Sequence, residues 1–278
     1  MFEEVQKGLF KSVSNPVFGK QHQGIAPGGA MDLFSLQMGK RLLKNLSEVQ
    51  TLEIIIPPIV RFETECLCVL TGARYERIEV KKADGSAQNV NFATVFRVNK
   101  GDCLSFHNKI AGFRSYLALL PFEIIGEDLT GRVRPEYSEM YDWVDRNGTI
   151  RILEGPEYPF LKNESSFTQT FWTITNDFSD MGFRLSTHDE LPKIILKNMI
   201  SEAVADGTIQ LTPKGPIVLL KHRQTVGGYP RVFNVISADI DLLGQYAPNQ
   251  ILRFSKVSLD HALNIALQKK SALTKIEP

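Results

Sequence analysis

No apolar run in the chain approaches the roughly 20 residues that a membrane-spanning helix needs. The longest candidate, Ile54 to Val60, carries two prolines. A dominant charge of one sign is also missing. Thirty-two Lys and Arg stand against 31 Asp and Glu, so the chain lacks the electrostatic footprint of a dedicated nucleic-acid or anionic-membrane binder. Cysteine is scarce, with three residues. The opening Met1-Phe2-Glu3-Glu4 is acidic and has no hydrophobic segment behind it. No signal peptide is expected, and the thiols are expected to be reduced, in the cytoplasm. Four local signatures are absent: the G-x-x-x-x-G-K-[ST] phosphate loop, the G-x-S-x-G elbow, H-E-x-x-H and C-x-x-C. No motif of this chain therefore assigns it ATP or a metal. It also lacks Ala-Met-Lys-Met, the usual biotin attachment segment, so the chain is not expected to carry biotin.

What is present is ordinary globular material. The 278 residues are 43% hydrophobic and 23% charged, too long for a stapled mini-domain and enough for two lobes with real cores. The first lobe, residues 1–122, reads as short strands with turn punctuation. Glu65 to Leu70 is a compact apolar run that suits a strand buried on both faces and ended by Thr71-Gly72. Cys66 and Cys68 lie on one side of it and read as small buried apolar groups rather than a metal pair. Arg77 to Val80 and Ala87 to Phe92 flank a hairpin signal at Asp84-Gly85. Leu33 to Leu46 follows a 3.6-residue period, with Asp32 at its N-cap position. Residues 123–149 are charged, with Gly and Pro breakers, and read as a connection. The second lobe, residues 150–268, holds strands near Ile150–Leu153, Phe171–Thr175, Thr208–Leu211, Ile217–Leu220 and Ile251–Val257. A final helix follows, with Leu259, Leu263, Ala266 and Leu267 on its apolar face. Residues 269–278 read as a polar, frayed tail. Mainly β with a few helices is the expected class.

Three glycine-bearing segments carry the chemistry. In Gly24 to Asp32, glycines including Gly28 and Gly29 permit close backbone approach to a ligand, and the helix behind them favours an anion. The alternative is a tight loop capped by Asp32. Ser179 to Leu185 is a turn followed by a strand bearing Arg184. The third, His222 to Pro230, follows the apolar strand Pro216 to Leu220 and clusters polar and aromatic groups around Gly227-Gly228, a placement common for binding loops. His222 is either a general base or a solvated loop residue beside Lys221 and Arg223.

In this order and spacing, these segments resemble the second, C-type subunit of the biotin-dependent carboxyltransferase-like family. Its members, also labelled allophanate hydrolase subunit 2, include the 5-oxoprolinase C subunit, the KipI antagonist and the matching part of urea carboxylase. The resemblance runs through Gly24 to Asp32, Leu52-Glu53-Ile54, Thr71-Gly72-Ala73, Gly155-Pro156, Met181 to Leu185 and Gly207 to Gln210. It is most specific from Pro216 through Gln224 to Pro230 and on to Val235 to Asp239. It implies a two-lobed, cyclophilin-like β-barrel architecture and a B-type (KipI-like) partner, with an A-type subunit in the 5-oxoprolinase case. There the complex opens 5-oxoproline to glutamate with ATP, so any ATP is expected through the complex, and whether it contacts this chain stays open.

The same resemblance implies site roles. Gln224 and Thr225 are candidate catalytic residues, joined by His222 as the candidate proton acceptor peculiar to this sequence. Gly28, Gly29, Asp32, Arg184, Tyr229 and Asp239 are the candidates for binding a small amide or carboxylate substrate, with Arg184 taking the carboxylate. Each has a structural alternative: Asp32 and Asp239 as helix caps, Thr225 as a turn residue, Tyr229 as a buried ring. The chain departs from the family pattern at Asn15 to Lys20, at Asp180 and at His222, where the family has Gln-Asp-x-Gly-Arg, Arg and Asp, and in its short charged 123–149 connection. The readings rank as C-type subunit of an amide hydrolase complex, then non-catalytic binding protein for a regulatory partner, then biotin-dependent carboxyltransferase component.

Overall fold

A computed structural model describes residues 1–44, 47–133, 148–195 and 199–274 of the chain. The chain divides into two compact units. The first comprises 1–14, 32–144 and 272–278, and the second 15–31 and 145–271. Sequence punctuation places 15–31 in the first lobe, whereas its contacts place it in the second: Gly28 N–H donates to Lys221 O at 3.2 Å, and Met31 joins the second unit's core. Of the predicted connection, 134–147 lies outside the described residues.

The first unit is a sheet of β1 (Phe2–Gln6), β2 (Leu9–Val13), β3 (Gln50–Ile56), β4 (Ile59–Phe62), β5 (Cys66–Lys81), β6 (Ala87–Asn89), β7 (Phe96–Val98) and β8 (Cys103–Pro121). Its spine is the β5–β8 pair, in register from Cys66↔Pro121 to Lys81↔Cys103 with a shift between Gly72 and Tyr75. The predicted strand end at Thr71-Gly72 is therefore a bulge: the strand bends there and runs on to Lys81. The expected burial of both faces is seen in the packing. Leu67 and Val69 enter the core beneath helix α1 (Leu33–Leu42), while Cys66, Cys68 and Leu70 enter the core on the opposite face. Burial pushes the Cys66 and Cys68 thiols up, which keeps them protonated and unreactive. Helix α1 presents Phe34, Met38 and Leu42 to the sheet at i, i+4 and i+8. It stops at Leu42, short of the predicted Leu46, which lies outside the described residues.

The second unit contains β9 (Thr149–Glu154), β10 (Leu161–Lys162), β11 (Trp172–Ser179), β12 (Gly182–Ser186), β13 (Lys193–Ile194), β14 (Glu202–Ala203), β15 (Thr208–Thr212), β16 (Gly215–Leu219), β17 (Val226–Gly227), β18 (Arg231–Val235) and β19 (Ile251–Lys256). Seven of these close a barrel in the order β11-β12-β16-β15-β18-β9-β19. Closure abolishes the exposed sheet edges that an open seven-strand sheet would present. Phe167, on the short helix Glu164–Thr168, enters the barrel core with its ring 4.7 Å from Phe233, 5.1 Å from Phe254 and 5.2 Å from Trp172.

The C-terminal helix corrects two expectations. It runs from Leu259 to Thr274, so Lys269 to Thr274 is helical rather than a frayed tail; Lys269 is anchored by hydrogen bonds to Ala238 O and Asp241. Its buried positions are Ala262 and Ile265, not the leucine stripe. Among the described residues no helix is long and apolar enough to cross a membrane.

Candidate functional site

Strand alternation in the barrel separates core from site. Phe183 and Leu185 of β12, Val218 of β16, and Ile209 and Leu211 of β15 point into the core. Their neighbours Arg184, Ile217 and Gln210 point the other way, and the register Arg184↔Ile217↔Gln210 sets them in one row across three strands. Over this row lies the 221–230 loop, and between them is a cavity of about 240 Å³ lined by Arg184, Gln210, Ile217, Leu219, Gln224 and Tyr229, with Asp177, Ser179 and Met181 at its side.

The polar groups of the cavity are held in place. Arg184 Nε donates to Asp177 Oδ2 at 2.9 Å, and its Nη1 to Thr212 Oγ1 at 2.9 Å. Gln210 is buried, and its Nε2 donates to Tyr229 O at 3.2 Å, tying the loop to the barrel wall. A Cβ at Gly227 would stand 2.5 Å from Gln210 Nε2, so glycine is what lets the loop settle onto Gln210. The Gln224 carboxamide and the Tyr229 hydroxyl have no hydrogen-bond partner among the described residues. They are available to a ligand.

Buried ion pairs fix both ends of this loop. Lys221 lies 2.6 Å from Asp241, which Lys269 also meets at 2.7 Å. Arg223 lies 2.9 Å from Asp206, close enough for charge pairing though not aligned as a directed hydrogen bond. At the far end, Arg231 grips both oxygens of Glu157 and reaches Glu202 and the Ala203 carbonyl. The cations flanking His222 are thus buried supports rather than a solvated fringe. Burial alone would raise the Asp241 carboxyl, but the Lys221 and Lys269 ammoniums override it and hold it below the usual range. A depressed carboxyl contributes stability that is present above the unfolded-chain value, near 3.9, and is lost as pH falls below it. Asp241→Asn is expected to lower stability at pH 7 by roughly 2 kcal/mol, discounted from a fully enclosed pair for its partial exposure. It should also flatten the acid limb of the stability–pH curve below about pH 4, as read by denaturant titration at stepped pH.

His222 joins all three glycine-bearing segments. Its backbone N–H donates to Asp180 O at 3.2 Å, and its ring Nε2 lies 3.1 Å from Gly29 O. A carbonyl only accepts, so Nε2 carries the proton and a neutral ring keeps Nδ1 as its acceptor. The ring packs on Gly28, and Gly29 turns the chain at φ +82° where a Cβ would be 2.7 Å from Pro16 N.

The predicted site residues therefore do not all meet in one place. Arg184, Gln224 and Tyr229 line one cavity. His222, Gly28 and Gly29 form a neighbouring contact in the same unit, and Thr225 holds the loop by accepting from Val204 N–H through its carbonyl. Asp239 is buried and bound by Arg151 through both backbone and guanidinium. Asp32 belongs to the first unit, where its Oδ1 caps α1 by accepting from Ser35 N–H at 2.9 Å. Gln210 and Asp177 are residues that sequence reasoning misses. The available signals are the polar position between Ile209 and Leu211, and the opposite charges flanking the Asp180-Met181 turn. The cavity offers a guanidinium, two carboxamides and a phenol over an apolar wall, a set suited to orienting a small carboxylate- or amide-bearing molecule.

Comparison with known proteins agrees with this architecture. The family model described as carboxyltransferase domain, subdomain A and B, matches residues 23–120 and 126–256. The chain is 27% identical to the 5-oxoprolinase C subunit of Haemophilus influenzae, over 93% of this chain and 92% of that protein. It is 28% identical to the 5-oxoprolinase C subunit of Escherichia coli, over 95% and 93%. The crystal structure of the K. lactis urea amidolyase superposes with a TM-score of 0.82 at 19% identity, covering 99% of this chain and 20% of that one.

Proposed function

Starting from the chain's membership of the family of carboxyltransferase domains with subdomains A and B, we propose that it is the C-type subunit of a 5-oxoprolinase-like complex in the cytoplasm. It works with a B-type and an A-type partner in the ATP-dependent opening of 5-oxoproline to glutamate. The observation that carries this reading is the convergence of Arg184, Gln210, Gln224 and Tyr229 on one cavity, in a chain that aligns along nearly the full length of two proteins named as 5-oxoprolinase C subunits. The substrate pairs a carboxylate with a lactam carbonyl. Arg184 suits the carboxylate, and the Gln224 amide and Tyr229 hydroxyl suit the carbonyl, on whose oxygen charge develops. ATP is a co-substrate of the complex and is assigned to no motif of this chain.

The test is co-purification with the B-type partner, followed by measurement of ATP-dependent glutamate release with the A-type subunit added. Arg184→Ala and Gln224→Ala should each lower release by about 100-fold, the scale of losing one transition-state donor, while the complex still forms. Undiminished release from both variants would sink the assignment of the cavity.

One observation favours the second reading, a non-catalytic binding subunit. His222 replaces the acid of the family pattern, and its ring is engaged by the Gly29 carbonyl outside the cavity lining. On that reading a tight complex forms and releases no glutamate.

A further inference from the structure

The C-terminal helix carries an apolar stripe that stands exposed among the described residues. Ala262 and Ile265 face inward at 6% exposure, while Leu259, Leu263 and Leu267 stand 61%, 53% and 64% exposed. Spacing of i, i+4 and i+8 sets these three leucines in a ridge along one side of the helix. Scattered surface leucines need no explanation, but a row of three on a helix anchored by Lys269 to Asp241 marks a contact surface.

The charges beside the ridge identify what covers it. Asp260 stands three residues before Leu263, and Lys270 three residues after Leu267. Both are exposed, and neither makes an ion pair or hydrogen bond among the described residues. At 100° per residue, Leu259, Leu263, Leu267, Asp260 and Lys270 all fall within about 100° of the helix circumference. This arrangement is self-complementary under a two-fold axis. An antiparallel second helix centred between Leu263 and Leu267 sets Leu263 level with Leu267 of the other copy, and Asp260 level with its Lys270, twice over. This complementarity of the face with itself is what points to a second copy of the chain.

We propose that this face is a homodimer interface: two copies of the chain pair antiparallel through Leu259, Leu263 and Leu267, with reciprocal Asp260–Lys270 ion pairs at the ends. One helix face is a small interface, so the association is weak and concentration-dependent, at the low end of specific contacts.

Sedimentation velocity of the full chain, from about 1 µM to about 200 µM, reads it directly. The sedimentation coefficient is expected to rise from the monomer toward the dimer value across this range. Leu263→Asp, at an exposed site where folding tolerates the change, should hold the chain at the monomer value, with an unchanged circular dichroism spectrum as the control. Asp260→Lys sets like charges opposite each other at both ends and should weaken the dimer by about tenfold. Asp260→Lys combined with Lys270→Asp restores both pairs and should restore the wild-type constant. A chain that stays monomeric throughout, or a dimer indifferent to Leu263→Asp, overturns the interface. A dimer lost with Leu263→Asp but unmoved by the charge variants overturns the antiparallel register, and so the proposal as stated.

Discussion

Phe167→Ala is expected to destabilise the barrel unit by about 3–5 kcal/mol, measured as a fall in the denaturant midpoint followed by Trp172 fluorescence. The ring is fully buried and meets three others at once, Phe233, Phe254 and Trp172, all within 5.2 Å. Truncation removes the transfer energy of a whole aromatic side chain. It also leaves a cavity whose walls cannot collapse, because they belong to strands on different sides of a closed barrel. The aromatic contacts add to this beyond their area. Phe167→Leu fills most of the volume without the ring and should cost markedly less. Equal losses in the two variants would mean that the short helix Glu164–Thr168, not the ring, is what the barrel needs. The backbone supplies its own link there, since Trp172 Nε1 donates to Phe167 O at 3.0 Å.

A loss of similar size is expected in the other unit from Glu53→Ala. Glu53 sits in the middle of β3, 1% exposed, opposite Lys11 of β2 and Tyr116 of β8. Its Oε2 accepts from the Tyr116 hydroxyl at 2.8 Å, while Lys11 Nζ and Arg114 Nε lie 3.5 and 3.6 Å from Oε1. The Tyr116 hydroxyl in turn accepts from Asp32 N–H at 2.7 Å, at the start of α1. Burial, with the Glu53 carboxylate beside it, pushes the Tyr116 hydroxyl up, so it stays protonated and able to donate. Removing Glu53 takes a counter-charge from the fully buried Arg114 and the acceptor from Tyr116 together. Breaking a buried pair from one side typically costs about 3–5 kcal/mol. Hydrogen exchange of the β3, β5 and β8 amides locates the loss in this unit. Glu53→Gln keeps the volume and an acceptor for Tyr116, and should recover part of it. Full recovery would show that charge at this position is dispensable.

The Glu53 network also shows why three short motifs of the sequence belong together. Asp32, Glu53 and Thr71 are far apart in the chain, yet Tyr116 bonds Asp32 and Glu53, and the Thr71 hydroxyl donates to Ser35 O on α1 at 2.8 Å. Individually they read as a cap, a strand polar residue and a turn. Only the pairing of β3 and β5 with β8 reveals the connection.

Legibility elsewhere follows the same division between local pattern and long-range placement. The Glu65–Leu70 run announces a strand buried on both faces, because hydrophobic content on both sides of the alternation leaves no other solution. Its continuation through Gly72 is not legible, because glycine after threonine looks the same at a strand end and at a bulge. The leucine ridge of the C-terminal helix is visible from its period, but a period does not say which way a stripe faces. The small Ala262 and Ile265 make the inward contact instead. In the candidate site, Arg184, Gln224 and Tyr229 can be named from their loops and family resemblance, whereas Gln210 and Asp177 emerge only when the barrel closes.

Barrel alternation has a consequence for how such a protein can change. Neighbouring letters of β12, β15 and β16 answer to different demands: Leu185, Ile209 and Val218 to the interior, Arg184, Gln210 and Ile217 to whatever enters the cavity. Substitutions can therefore accumulate at every second position, altering the shape and charge that a ligand meets, while the interleaved positions keep the barrel folded. The same scaffold can pass from one small molecule to another by drift on one face alone.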